Sequence, residues 1–360
     1  MKNFILLLSV FLVLHTNAQK TVKNAVPVKT FVTVENTSAD GKYKYTTVTN
    51  DPLGVRTYKL ANGLTVMMSV NKKEPRVQTY IATNAGSKND PADNTGLAHY
   101  LEHMLFKGTD VFGTKDWKKE KEQLDKIDAL YEVYNKTTDD KKRTEIYHLI
   151  DSVSGVASTF AIANEYDKML MSIGAQGTNA FTSLEQTVYV NDVAQNQISK
   201  WLTIEAERFR APVLRLFHTE LEAVYEEKNI SLDNDGRKVF EALLSNLFKN
   251  HPYGTQTTIG TVEHLKNPSL VKIRNFYNTY YVPNNMAIVL SGDINPDALI
   301  AEIDAKFSFM QPKDIPVFNS SVEKARTEPT IVNVYGPDAE NIMIGYRLPG
   351  SGTKEEMLFT

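Results

Sequence analysis

The stretch GLAHYLEHMLFKGTD (residues 96–110) places two histidines and a glutamate within five positions. Its apolar residues recur at the spacing of one helix face, and the flanking residues can begin and end a helix. We expect Asn94 or Thr95 to cap this helix, Gly108 to end it, and its apolar face to consist of Leu97, Leu101, Met104 and Leu105. The stretch therefore predicts a short amphipathic helix that also carries three ionisable side chains.

These three side chains share one side of the predicted helix. Each residue turns the helix by about 100°, so with His99 at 0°, Glu102 lies near 300° and His103 near 40°. Two imidazoles at positions i and i+4 can hold one zinc ion, and the adjacent carboxylate is left to handle a proton. The order is HxxEH rather than HExxH. The alternative is a solvated helix face with a Glu–His pair, and the choice depends on a third ligand elsewhere in the chain.

The acidic segment RLFHTELEAVYEEKN (residues 215–229) is the best source of a third ligand. Glu220 and Glu227 are seven positions apart and share one helix face, whereas Glu226 points about 120° away from Glu220. His218 is a minor alternative ligand. Taken alone, the segment is more typical of a charged surface helix. The remaining histidines are expected to be structural, solvated or removed with the N-terminus: His15, His148, His251 and His264.

The N-terminus has the pattern of a secretory signal. The apolar run FILLLSVFLVL (residues 4–14) follows Lys2 and is too short to span a bilayer comfortably. A small residue, Ala18, lies where signal peptidase would cut. We expect residues 1–18 to be removed on export to the periplasm or out of the cell, with an uncleaved anchor as the alternative. No later segment is expected to span a membrane.

Bulk composition excludes several classes of protein. The 360 residues are long enough for more than one domain, and 42% hydrophobic with 23% charged residues is typical of a globular chain. A formal net charge of -3 gives no reason to expect nucleic acid as a partner. The sequence contains no cysteine, which excludes disulfides, thiol catalysis and thiolate metal sites.

Strand and helix patterns alternate irregularly along the chain. Asn62-Gly63 between RTYKL and LTVMMSV predicts a hairpin. Residues 19–52 are polar and predict an arm that leads into the first domain. The expected strands after this hairpin are RVQTYIATNAGS, GAQGTNAFTSLEQTVYV, MAIVLSGDI, TIVNVYG and NIMIGYRL, and the expected helices are a charged pair within 114–160 and others near 198–209, 213–232, 239–248, 270–280 and from 296.

The chain resembles the pitrilysin or insulinase-like zinc metallopeptidases, whose members include mitochondrial processing peptidase. The resemblance covers roughly residues 55–360. It is carried, in the family's order, by YKLANGLTV, GLAHYLEHMLFKGT, TNAFTSLEQTVY, ELEAVYEE, HPYG and YYVPNNMAIVLSGDI.

The resemblance implies an α+β fold with a mostly antiparallel sheet packed on helices. It implies a catalytic zinc peptidase domain over residues 53–315 with a helical insertion at 114–165. Residues 316–360 would begin a second, similar domain, so the chain is expected to be a fragment. The second half of family members closes over the site and supplies an arginine and a tyrosine near the substrate carbonyl. A missing C-terminal half, or a partner subunit, is therefore an expected partner.

The resemblance also assigns roles to the site residues. One Zn2+ per chain would be held by His99, His103 and the last glutamate of the E-x-x-x-V-x-x-E pattern, which is Glu227. Glu102 would be the general base, and Glu220 would support the site from behind the ligands. The gap between His103 and Glu227 is longer than in the family, and the helical insertion accounts for it.

The small residues of segment 174–182 suggest that a peptide adds as a strand to a sheet edge. The resemblance places Asn179, Ala180 and Phe181 along that edge, and the alternative is an interior strand without a ligand. Together these features predict an exported zinc endopeptidase that cleaves extended peptides or unfolded polypeptides. The alternative is a non-catalytic peptide-binding or scaffolding subunit of such a peptidase.

Overall fold

The computed structural model describes residues 30–319, 322–351 and 353–355, so the predicted signal at 1–18 lies outside the described residues. In the described part, eight strands form one sheet in the order β1-β2-β3-β4-β8-β5-β7-β6. Neighbouring strands are antiparallel except β4 and β8, which are parallel. The strands are β1 (Thr33–Thr37), β2 (Lys44–Val48), β3 (Arg56–Lys59), β4 (Thr65–Val70), β5 (Arg76–Thr83), β6 (Gln176–Thr182), β7 (Thr187–Ala194) and β8 (Met286–Gly292). The predicted α+β class with a mostly antiparallel sheet is confirmed.

Eleven α-helices accompany the sheet in the described residues. They are α1 (Leu97–Met104), α2 (Trp117–Lys136), α3 (Asp140–Ser158), α4 (Glu165–Ser172), α5 (Ile198–Arg208), α6 (Phe217–Asp233), α7 (Asp235–Leu247), α8 (Pro252–Thr255), α9 (Val262–Leu265), α10 (Leu270–Tyr280) and α11 (Pro296–Lys306). None of these helices is both long enough and apolar enough to cross a membrane. The predicted helical pair is confirmed as α2 and α3. Two single-turn helices, α8 and α9, lie between α7 and α10.

One face of the sheet is buried under helices and forms the core. Along β5 the side chains alternate, and Val77, Thr79, Ile81 and Thr83 are buried. The same alternation in β8 buries Ile288. This period of two places every second residue of the central strands against the helices. The helix α1 packs in this layer, beside α6, α10 and the strand β6.

The prediction of a polar arm at residues 19–52 is wrong for the part of this segment that the structure describes. Residues 33–48 form the hairpin β1–β2, which extends the sheet by pairing with β3. After Lys44, the segment KYTTV consists of aromatic and β-branched residues, which favour a half-buried strand. The sheet therefore begins some residues before the domain start predicted at residue 53. Residues 19–29 lie outside the described part.

The predicted strand GAQGTNAFTSLEQTVYV is two strands rather than one. β6 and β7 form an antiparallel hairpin, with the register shifting between Gln176 and Asn179. β7 pairs with β5, and β6 forms the outer edge of the sheet. The alternative of an interior strand for segment 174–182 is therefore wrong.

The strands predicted at TIVNVYG and NIMIGYRL do not form in the described residues, where 322–351 contain neither helix nor strand. This segment instead lies along α7. The N–H of Asp338 donates to Asp235, and a side chain at Gly345 would contact Leu243 and Leu247. A strand requires a paired neighbour, and residues 330–348 pair with none of the described strands.

Candidate metal centre

The helix α1 is positioned by its N-terminal turn. Gly96 precedes it with φ +89°, in the left-handed region that favours glycine. A Cβ at this position would lie 2.5 Å from the carbonyl oxygen of Ile259, so the close approach also requires glycine. The buried carboxylate of Asp90 accepts hydrogen bonds from the N–H of Gly96 at 2.7 Å and of Ala98 at 2.9 Å. Asp90 therefore satisfies the first free donors of the helix.

The caps predicted from the local sequence are wrong. Asn94 donates its side-chain amide to the carbonyl of Asn267 at 3.1 Å, and the hydroxyl of Thr95 lies 2.8 Å from Nδ1 of His264. Both polar side chains face α9 and its flanks rather than the start of α1. The helix ends at Met104, and Gly108 follows in the next loop.

The helix α6 brings the carboxylates to α1. The hydroxyl of Tyr100 on α1 donates to the carbonyl of Phe217, the first residue of α6, at 2.5 Å. The rings of Tyr100 and Phe217 also pack together, with centroids 4.7 Å apart. Because both contacts fix the start of α6 on α1, the glutamates one and three turns further along α6 face the histidines.

Three donor atoms converge at this junction. Nε2 of His99 lies 3.3 Å from Nε2 of His103, and Oε2 of Glu227 lies 3.6 Å and 3.7 Å from these two nitrogens. An ion with metal–ligand distances of about 2.0–2.1 Å and tetrahedral angles separates its ligand atoms by about 3.4 Å. Among the described residues, His99, His103 and Glu227 form the group able to hold a metal ion. Two histidines and a glutamate are a donor set that zinc accepts.

The second ring nitrogen of His103 is held by a carboxylate. Nδ1 lies 2.8 Å from Oε1 of Glu220, and Nζ of Lys107 lies 2.5 Å from Oε2 of the same residue. Burial lowers the pKa of His103, but the hydrogen bond to Glu220 and the surrounding carboxylates outweigh it, and the net shift is upward. When the neutral ring donates its Nδ1–H to Glu220, the lone pair is on Nε2, which is the nitrogen that faces His99 and Glu227. Glu220 is predicted to have this supporting role, and its geometry fits it.

His99 is held in its neutral form. Burial, with smaller contributions from His103 and Arg237, lowers its pKa to about 3. Its Nδ1 is buried and has no hydrogen-bond partner among the described residues. A neutral imidazole whose Nε2 faces two other donors suits a metal ligand. The residues present therefore fit a bound divalent ion.

Glu102 lies beside the three donors and is not one of them. Its side chain is buried, and Oε2 accepts a hydrogen bond from the hydroxyl of Thr182 at 2.6 Å. Burial raises the pKa of Glu102, and this effect exceeds the lowering by Thr182 and His103. A buried carboxylate with a raised pKa is suited to accept and return a proton.

The competing ligands are directed elsewhere. Glu226 is exposed and lies within 3.5 Å of the side chain of Asn229. His218 is buried against the helical pair, with its Nδ1 3.0 Å from the hydroxyl of Tyr131. Neither belongs to the group of converging donors.

Sequence reasoning missed Thr182 and Lys107, which contact Glu102 and Glu220 respectively. Thr182 directly follows the predicted peptide-binding residues, and its place at the end of a strand is the one local signal. Lys107 follows the last residue of α1, Met104, by three positions, and nothing local connects it to a glutamate in another helix.

The predicted peptide-binding residues lie on the outer strand β6. Asn179, Ala180 and Phe181 pair on one side with β7, and β6 has no further strand on its other side among the described residues. The side chain of Phe181 is 46% exposed. The strand ends at Thr182, whose hydroxyl reaches Glu102. A chain added to this edge would therefore run past the candidate site.

Two family models match the sequence. The model described as Insulinase (Peptidase family M16) matches residues 65–134 and 138–261. The model described as Peptidase M16 inactive domain matches residues 269–360. The second match begins before β8, which lies in the interior of the sheet between β4 and β5.

Individual relatives extend these matches. The insulin-degrading enzyme of Mus musculus is 27% identical over 270 residues, which cover 73% of this chain and 22% of that protein. The zinc protease PqqE of Helicobacter pylori is 25% identical over 309 residues, covering 83% and 57%. The crystal structure of the first half of the periplasmic protease PqqL from Escherichia coli superposes with a TM-score of 0.55 at 20% identity, covering 75% of this chain and 48% of that one. The chain thus spans between about a fifth and three fifths of the length of these relatives.

Proposed function

Because the chain belongs to the insulinase (M16) family of peptidases, we propose that it is a zinc-dependent endopeptidase that hydrolyses extended peptides or unfolded polypeptides. The observation that carries the proposal is the convergence of His99, His103 and Glu227, whose donor atoms are 3.3 to 3.7 Å apart. The buried side chain of Glu102 lies beside them and is not one of these three donors. In this proposal the three residues hold one Zn2+, and Glu102 is the general base.

The chemistry divides between the ion and the chain. Zinc, when bound, activates water and polarises the carbonyl of the scissile peptide bond. Glu102 accepts a proton from the attacking water and returns it to the leaving amine. Thr182 holds Glu102 by its hydrogen bond of 2.6 Å, and Glu220 holds His103 in the tautomer that leaves Nε2 free.

The substrate is proposed to bind as an extra strand. Asn179, Ala180 and Phe181 lie on the strand β6, where every second residue directs its backbone N–H and C=O away from β7 toward the outer edge, beside the half-exposed ring of Phe181. Edge pairing selects extended chains, because a folded helix or a closed sheet has no free backbone to offer. This property supports peptides and unfolded polypeptides as substrates.

Location and partner are proposed from two further features. The N-terminal pattern over residues 1–18 and the periplasmic relative support export to the cell envelope or beyond. The relatives are longer than this chain, which supports a requirement for a second half, on the same polypeptide or a partner, to complete the enzyme.

The test is the zinc content of the purified protein, measured by mass spectrometry beside the His103→Ala variant, together with cleavage of an unstructured fluorogenic peptide. We expect about one zinc per chain in the wild type, none in the variant, and cleavage that a chelator stops. If the protein binds zinc but does not cleave the peptide even when the second half of the enzyme is supplied, the non-catalytic binding subunit would be favoured. Absence of zinc in the wild type would contradict the proposed metal site.

A further inference from the structure

The carboxylate of Glu120 and the guanidinium of Arg215 form a buried ion pair between α2 and the segment that precedes α6. Nε of Arg215 lies 2.5 Å from Oε1, and Nη2 lies 2.9 Å from Oε2. The two side chains are 0% and 1% exposed. A bidentate pair of this kind fixes direction as well as distance. The pair therefore fixes residue 215 relative to the helical pair α2–α3.

The remaining N–H groups of Arg215 hold the loop that follows α1. Nη1 donates to the carbonyl of Lys107 at 2.7 Å, and Nη2 donates to the carbonyl of Thr109 at 2.9 Å. The side chain of Lys107 in turn binds Glu220, which binds His103. A continuous set of polar contacts thus runs from Glu120 to a proposed metal ligand.

The loop is shaped to admit the guanidinium. A Cβ at Gly113 would lie 2.6 Å from Nη1 of Arg215, closer than real Cβ contacts allow. Gly113 also has φ +84°, where a side chain would be strained. The close fit indicates that Arg215 has one position in this loop.

The residue after Arg215 has an unusual backbone. Leu216 has φ 56° and ψ 27°, the left-handed conformation that residues with a side chain seldom adopt. It caps α6, and its carbonyl accepts the N–H of Glu220 at 3.0 Å. A strained conformation persists only where its surroundings hold it. The direction in which α6 starts therefore depends on what holds the residues on each side of Leu216.

The helical pair also binds His218, which follows Leu216 by two positions. Nδ1 of His218 lies 3.0 Å from the hydroxyl of Tyr131 on α2, and its Nε2 lies 3.8 Å from Asp151 on α3. Arg215 and His218, on the two sides of the strained residue, are thus both bound by the insertion.

We propose that the α2–α3 insertion sets the position of α6, with Glu120 and Tyr131 as positioning residues for the carboxylates of Glu220 and Glu227. The inference rests on the proposed function, because it takes Glu227 as a metal ligand. It assigns to the insertion a function in the metal site that is distinct from its contribution to the fold.

The chain supplies matched controls for this inference. Glu205 and Arg208 form a second ion pair whose side chains are 0% and 1% exposed, and both lie on α5, so this pair does not join α2 to the segment before α6. Glu205→Gln should therefore disturb the fold about as much as Glu120→Gln without moving α6. For Tyr131→Phe the control is Tyr134→Phe, on the same helix, whose ring packs against Tyr131 and Tyr147.

The experiment is a Co2+ titration of the full chain followed by visible absorbance, with thermal melting of each metal-free variant. Cobalt is chosen because it takes the same nitrogen and oxygen ligands and reports coordination geometry by its colour. Supporting contacts behind metal ligands typically change metal affinity by about 10- to 100-fold. We expect Glu120→Gln to raise the Kd for Co2+ by that factor and to change the spectrum. Tyr131→Phe should act in the same direction more weakly, and both control variants should stay close to the wild type.

The outcomes separate the two proposals. If the wild type binds cobalt and Glu120→Gln matches Glu205→Gln in affinity and spectrum, the positioning inference is overturned and the proposed function stands. If the wild type binds no stoichiometric cobalt, the metal site fails and the inference fails with it. If Glu120→Gln does not fold, Tyr131→Phe against Tyr134→Phe decides: equal affinities would overturn the inference.

Discussion

Nδ1 of His103 lies 2.8 Å from Oε1 of Glu220, although the two residues are 117 positions apart in the sequence. The carboxylate holds the ring so that Nε2 faces the atoms of His99 and Glu227. The geometry of the candidate metal centre therefore depends on a residue that is not itself one of the converging donors.

Glu220→Gln should weaken zinc binding by about 10- to 100-fold, because an amide holds the Nδ1–H less strongly than a carboxylate does. Competition with a chromogenic chelator measures the affinity. Glu222→Gln, an exposed glutamate on the same helix, is the control and should leave it unchanged. Equal zinc affinities in the two variants would show that the hydrogen bond between Glu220 and His103 does not contribute to zinc binding.

Glu227→Gln should raise the Kd for zinc on the order of a hundredfold, because a neutral amide is a poor substitute for a charged ligand. The adjacent Glu226→Gln removes the same charge from an exposed position and should have little effect. Isothermal titration of both variants with zinc compares them directly. A larger loss in Glu226→Gln would reassign the third ligand.

Glu102→Gln should keep its zinc and lose peptide cleavage by about 10²- to 10⁴-fold, the usual contribution of a general base. Gln has nearly the same shape and can still accept the hydrogen bond from Thr182, so the fold should be unaffected. Zinc content and cleavage are measured on the same preparation. Turnover near the wild-type rate would remove Glu102 from the role of base.

Thr182→Val should lower kcat about tenfold with little change in KM, because it removes the hydroxyl that holds Glu102 while keeping a side chain of similar shape. Thr182→Ser retains the hydroxyl and should restore most of the activity. Steady-state kinetics on both variants test this. A serine variant as impaired as the valine variant would mean that packing, rather than the hydrogen bond, is responsible.

Among Asn179, Ala180 and Phe181, hydrogen exchange should slow at the backbone amides that point away from β7 when a peptide binds the Glu102→Gln variant, which binds without cleaving. The opposite edge of the sheet, β1, is the internal control, since it is also an edge strand but lies far from α1 in strand order. Protection at β6 alone supports strand addition. Protection at neither edge would contradict it.

Local patterns predicted the parts of the structure that depend on neighbours in sequence. The helix at residues 97–104, the hairpin around Asn62-Gly63 and the helical pair α2–α3 follow from periodicity and turn residues over a few positions. Periodicity also placed Glu220 and Glu227 on one face of α6, and the structure brings both toward α1. It did not predict β1 and β2, because short segments that mix threonines with few apolar residues are typical of both a half-exposed strand and an arm.

Contacts between distant segments were not accessible to the same reasoning. Asp90 rather than Asn94 or Thr95 caps α1, because the side chains of Asn94 and Thr95 are bound by the distant residues Asn267 and His264. Thr182 reaches Glu102 because β6 ends beside α1. Arg215 and Glu120 are 95 positions apart, and neither has a local pattern that distinguishes it from other charged residues.

The sequence by itself determined which chemistry this protein can carry: the residue types, the helical spacing of His99, Glu102 and His103, and the family to which the motifs belong. The tertiary structure alone decided how these groups are oriented and charged. Helical spacing follows from local backbone geometry, which is the same in any protein. Tautomer, pKa and the separation of donor atoms depend on burial and on partners from other segments, and these exist only when the chain is folded.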